Sequence, residues 1–186
     1  MTTISGPRGV ALAAAVALVA LGCEAGSGAA TPQILPGSSA APREVNLIAR
    51  DYAFVPDVLD LVPGETILLH VINGGLVLHE AVIGDASVQD AWEAAEAATV
   101  GAPPGPTPVV AVPPEVAGIR VVVGSGVRID LTWTVPPEAA DPSDATASRS
   151  AWFVGCHVPG HLAKGMQVPI RWVLPPSDAP ASAPAP

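Results

Sequence analysis

One short loop limits what this chain can become. Gly155–Cys156–His157–Val158–Pro159–Gly160–His161–Leu162–Ala163–Lys164–Gly165–Met166 holds a thiol, imidazoles and a thioether together. Cys156, His161 and Met166 stand in a C-x4-H-x4-M spacing. Pro159–Gly160 supplies a tight bend between the first two, and Gly165 permits a second bend before Met166. Such a loop needs a rigid strand to deliver Cys156 and a packed scaffold to hold the returning donors. His79, which follows an apolar run, can add a second imidazole from a neighbouring strand.

Two His, one Cys and a weak thioether are the ligand set of a mononuclear blue-copper site. The thiolate holds copper in both oxidation states, and the long Met bond tunes the potential. His79, Cys156, His161 and Met166 are therefore the candidate ligands of one type 1 copper ion. No His-x-His pair exists among His70, His79, His157 and His161, so a trinuclear oxidase centre lacks ligands. A dinuclear centre needs two loop Cys, and the loop has only Cys156. Structural zinc takes four firm N or S donors, among which Met is a poor one. A Cys-His nucleophile is disfavoured because nothing in the loop resembles an oxyanion hole or an orienting acid. The chain is read as a non-enzyme.

The 186 residues suffice for one ordinary domain with extensions. Pro (22) and Gly (18) are abundant and dispersed, which suits a β protein with many turns. Eight Lys+Arg against 17 Asp+Glu give a net charge of −9, which argues against nucleic acid as a partner. An acidic surface can steer a basic redox partner or serve solubility alone. The two Cys, Cys23 and Cys156, make no disulfide framework.

The first 23 residues read as an export signal. Arg8 precedes an unbroken apolar run over 10–21, which is short for a membrane span and suited to a signal core. Ala20–Leu21–Gly22–Cys23 resembles a bacterial lipobox, with Ala20 where Leu is usual. Lipidation of Cys23 would anchor the protein to a membrane, facing the periplasm or cell exterior. Simple secretion with cleavage nearby is the alternative. Residues 24–43 are rich in Gly, Ser, Ala and Pro and read as a disordered tether. Residues 175–186 read as a disordered Pro/Ala tail.

Residues 44–174 read as a single domain. Val45, Leu47 and Ala49 alternate along a half-buried strand. Strands are also expected over 58–62, 66–72, 76–83, 118–124, 127–135, 151–156 and 166–174. Along 127–135, Val127, Ile129, Leu131, Trp133 and Val135 are expected inward. Residues 84–114 read as an insertion with one short helix that starts at Ser87 and ends near Ala98. Asp90, Glu93 and Glu96 recur every three residues there, as on a solvated face. The insertion has no His or Met, so no second copper is assigned to it. His70, mid-strand in an apolar run, reads as a structural or surface histidine. About eight strands and one helix make an all-β Greek-key sandwich.

The loop Cys156–His157–Val158–Pro159–Gly160–His161 with Gly165–Met166 resembles that of the cupredoxins. The likeness is to the bacterial plastocyanin- and azurin-like branch that includes auracyanin, and it covers residues 44–173 with an insertion. The resemblance implies that the first imidazole follows the Asn73–Gly74 turn, as His79 does, and His79–Glu80 matches a dipeptide common in that branch. It also implies that an aromatic of the 51–56 segment packs under the sheet. His161 would have an exposed edge in an apolar patch, for which Val158, Pro159, Leu162 and Ala163 are candidates. His157 is a neighbour of the site, not a ligand. The implied function is a monomeric electron carrier serving redox proteins, such as a c-type cytochrome or a membrane redox complex. A copper-binding or delivery protein of the cell envelope is the alternative.

Overall fold

The structure is a computed structural model that describes residues 1–2, 34–101, 110–137 and 151–173. Residues 3–23 of the expected signal, Cys23 among them, the first half of the tether (24–33) and the 175–186 tail lie outside the described residues. The chain divides into two units, Met1–Ala30 and Thr31–Pro186, and the features below belong to the second.

Alternation of apolar and polar side chains builds two sheets. The first contains β1 (Arg43–Arg50), β2 (Ala53–Val55), β4 (Thr66–Asn73) and β7 (Arg128–Thr134), in the order β2-β1-β4-β7. The second contains β3 (Leu59–Leu61), β5 (His79–Gly84), β6 (Ile119–Val123), β8 (Phe153–Gly155) and β9 (Gln167–Trp172), in the order β3-β9-β8-β5-β6. The β1–β4 and β3–β9 pairs are parallel and the others antiparallel. The architecture is the expected β-sandwich, with nine strands and one α-helix, α1 (Ala86–Ala97), among the described residues.

The core lies between the sheets. Val45, Leu47 and Ala49 of β1 and Ile67, Leu69 and Val71 of β4 meet Leu59, Ala81, Ile83, Val123, Val154 and Val168. Phe54 is buried in the same core, as the family likeness implied. A fully buried Leu or Ile contributes about 1.5–3 kcal/mol relative to exposure. Strand β5 departs from alternation, since all six of its residues are buried. Its inner face meets the core, and its outer face is covered by α1, where Val82 packs with Val88 and Trp92.

Three expectations need correction. The helix starts two residues early: Asp85 is its N-cap, and its carboxylate accepts from Ser87 N at 3.0 Å and Val88 N at 3.1 Å. The acidic side chains of α1 are not all solvated. Glu96 is buried and pairs with Arg120 at 2.6 Å, and Glu93 reaches His157. Val127, just before β7, and Ile129 on it are exposed, and Leu131 and Trp133 are only half-buried. β7 and β6 are the outer strands of their sheets, so no further strand flanks them among the described residues.

The described end of the expected tether is also held. Thr66 N donates to Gly37 O at 3.0 Å, and β1 already begins at Arg43. A Cβ on Gly37 would lie 2.2 Å from Arg43 N and Thr66 O, so the approach requires glycine. Arg43 ties this end to the buried Glu65, which also accepts the Val62 N–H at 2.8 Å.

Leu69 is fully enclosed between the sheets. Leu69→Ala is expected to lower unfolding free energy by about 2–5 kcal/mol, measured by urea denaturation. A change within error would refute this account of the core.

Candidate metal centre

The register of the second sheet brings the donors together. Val82 pairs with Gly155 across β5 and β8. In an antiparallel pair, that register sets the start of β5 beside the segment leaving β8. His79 is the first residue of β5 and Cys156 the first after β8.

Hydrogen bonds then return the loop to its origin. Cys156 N donates to Met166 O at 3.1 Å, and Met166 N donates to His161 O at 3.2 Å. His161 N donates to Val158 O at 2.9 Å. Gly160 (φ 84°) and Gly165 (φ 90°) take left-handed backbone at the two expected bends. A single 3₁₀ turn, Leu162–Lys164, lies between them.

Three of the four expected ligands converge by their donor atoms. Cys156 Sγ lies 3.3 Å from His161 Nδ1 and 4.0 Å from His79 Nδ1. The donor atoms of His79, Cys156 and His161 all fall within 4.8 Å of one another. Met166 is fully buried and is joined to both Cys156 and His161 by the backbone bonds above. His79 and Cys156 are also fully buried, and His161 is 7% exposed. Soft sulfur and imidazole nitrogen in a buried pocket suit copper or zinc, and the set has no carboxylate oxygen for a hard cation.

Burial sets the proton chemistry. It pushes the Cys156 thiol up to about 11, because a bare thiolate is poorly solvated there. A metal must therefore displace this proton. Burial, followed by the nearby His79 and Lys164, lowers the His161 pKa, which keeps its ring neutral and its lone pair available.

His157 is adjacent to the thiol but points elsewhere, as expected. It is buried, with Nδ1 2.8 Å from Glu93 Oε2 and Nε2 2.7 Å from Gln89 Oε1, both on α1. Glu80, also buried, accepts His157 N at 3.0 Å and Arg120 Nε at 2.7 Å. Helix α1 thus braces the residue that follows the thiol. His70 lies on the other sheet, 2.8 Å from Asp130 Oδ1, and takes no part in the donor group.

Sequence reasoning missed two features. Asp51 reaches His79, with Oδ1 3.1 Å from Nε2, and also accepts Leu76 N at 2.9 Å. These contacts, first the Leu76 N–H and then His79, hold the Asp51 carboxyl below the usual value. The second feature is Leu76, Val77 and Leu78, expected on a strand but exposed in a loop before β5. Asn73 holds that loop by donating to Val77 O at 2.8 Å and accepting Gly75 N at 2.8 Å. Of the patch expected around His161, Pro159 and Ala163 are exposed, and Val158 and Leu162 are half-buried. Tyr52 stands edge-on to His161, with ring centroids 5.1 Å apart.

No family model and no curated relative matches the chain. Among solved structures it is similar to a dithionite-reduced auracyanin from Roseiflexus castenholzii, with 18% identity and a TM-score of 0.49, covering 75% of this chain and all of that one. Auracyanin A from Chloroflexus aurantiacus, described as a "blue" copper protein, gives 19% identity and a TM-score of 0.49, covering 72% and 99%. An azurin from Methylomonas sp. strain J gives 14% and 0.45, covering 72% and 99%. The chemistry assigned below rests on the side chains of this chain.

The raised thiol pKa has a consequence for the metal-free protein. Its stabilising contribution is full below pH 9.0, the ordinary value, and is lost as pH rises through about 11. Wild type is expected to lose stability across that window more steeply than Cys156→Ala in parallel urea titrations. Parallel pH curves would contradict the buried thiol.

Proposed function

We propose that this protein is a mononuclear blue-copper electron carrier of the cupredoxin kind. The observation that carries the reading is the convergence of His79 Nδ1, Cys156 Sγ and His161 Nδ1 within 4.8 Å in a buried pocket. His79, Cys156 and His161 would hold one copper ion, with Met166 as the weak fourth donor. Bound there, copper supplies a one-electron couple. The chain's part is to keep donors still and water out. His79 is paired with Val123 at the start of β5, Cys156 directly follows the paired strand β8, and the loop is closed by the Cys156–Met166 and Met166–His161 backbone bonds. Donors restrained this way move little between oxidation states, which favours fast transfer.

His161 is the one ligand with residual exposure, so electrons pass at its edge. The apolar side chains at 76–78, with Pro159 and Ala163, suit brief docking of a redox protein there. The sequence of residues 1–23 supports export, with a lipid on Cys23 as the membrane anchor.

Two experiments test this reading. The domain loaded with Cu(II) should show an intense thiolate-to-copper band in the visible. Cys156→Ser should lose it while keeping a β-type far-UV spectrum. A colourless wild type at full copper occupancy would sink the assignment. For the anchor, the full chain expressed in a bacterium should sediment with membranes, and Cys23→Ala should shift to the soluble fraction. Identical partitioning would remove the lipid from the account.

A further inference from the structure

Asp51 stands just after β1, outside the donor group, but its carboxylate is directed at that group. Oδ1 lies 3.1 Å from His79 Nε2 and accepts from Leu76 N at 2.9 Å and Val77 N at 3.5 Å. An ionised carboxylate can only accept, so the ring proton of a neutral His79 belongs on Nε2. Nδ1 is then bare, and it is Nδ1 that faces Cys156 Sγ.

Gly75 is the second observation. A Cβ there would sit 2.4 Å from Asp51 Oδ1 and 2.9 Å from His79 Nε2. The close approach of carboxylate to ring therefore requires a residue without a side chain at 75. The two imidazoles also differ. Among the described residues, His161 makes no hydrogen bond to a carboxylate, while the fully buried His79 makes one. A carboxylate behind a ligating His raises the donor strength of the ring as well as fixing its tautomer. Stronger donation favours the more highly charged oxidation state of a bound metal.

We infer that Asp51 is a positioning residue of the copper centre, which locks His79 as the Nε2–H tautomer and biases the site toward Cu(II). The inference rests on the copper reading above. Its first half concerns the metal-free protein and can be tested separately.

The test compares wild type with Asp51→Asn and Asp51→Ala. Imidazole ¹⁵N–¹H NMR of the metal-free wild type should show His79 as the Nε2–H tautomer with a slowly exchanging ring proton. Asp51→Asn keeps an oxygen acceptor and should retain that proton, whereas Asp51→Ala should lose its protection. A wild-type Nδ1–H tautomer overturns the positioning role whether or not copper binds. With copper, Asp51→Asn should keep the blue band. It should weaken Cu(II) binding by ~10-fold or more, with Cu(I) binding less affected and the midpoint potential more positive. The change should persist at high salt, because it acts through the hydrogen bond. A change abolished by salt would assign it to surface charge and overturn the inference. Unchanged Cu(II) affinity and potential in Asp51→Asn, beside a blue wild type, overturn the tuning and leave the copper reading intact. A wild type that binds Cu(II) without the band overturns both.

Discussion

The antiparallel pairing of β5 with β8 is the constraint on which the rest of the site depends. Its register, Val82 opposite Gly155, sets the start of one strand beside the end of the other. His79 and Cys156 are separated by 77 residues, yet both sit at that junction. A slip of one residue would turn every side chain of β5 to the opposite face. The imidazole would leave the core side, and the loop could no longer supply a complete donor set.

That register is secured from both faces. On the inside, Ala81 and Ile83 are fully buried in the sandwich core. On the outside, α1 covers Val82, and Gln89 Nε2 donates to Val82 O at 3.1 Å and to Phe153 O at 2.8 Å. One amide therefore spans β5 and β8. The polar groups beneath the helix are costly to bury without partners, and here each has one. Glu80 meets Arg120 and the His157 N–H, Arg120 meets Glu96, and His157 meets Gln89 and Glu93. The helix is thus part of the support of the ligand loop.

Protection on one side and access on the other follow from the same arrangement. His79 is fully enclosed and backed by Asp51, while His161 is 7% exposed and stands edge-on to Tyr52. Lys164 Nζ lies 3.7 Å from the Tyr52 ring centroid, which sets a cation beside this pair on a chain of net charge −9. The buried thiol, with its pKa pushed to about 11, is a weak nucleophile until a metal replaces the proton.

Local patterns determined much of this protein. Alternation placed Val45, Leu47 and Ala49 inward, and the C-x4-H-x4-M spacing with its two glycines picked out the ligand loop. These signals are short-range, since strand period and turn chemistry act within a few residues. Tertiary structure decided what depends on distant partners. Ile129 has the right period but lies on an outer strand, and Val127 precedes that strand; both are exposed. Glu93 and Glu96 look like a solvated face until His157 and Arg120 approach them. Asp51 has no local mark of its role, because its partner is 28 residues away and the approach depends on a bare glycine at 75. The sequence by itself determined which donors the loop offers. Only the packing of two sheets and a helix decided where those donors meet, because the energy that holds them together comes from contacts between segments far apart in the chain.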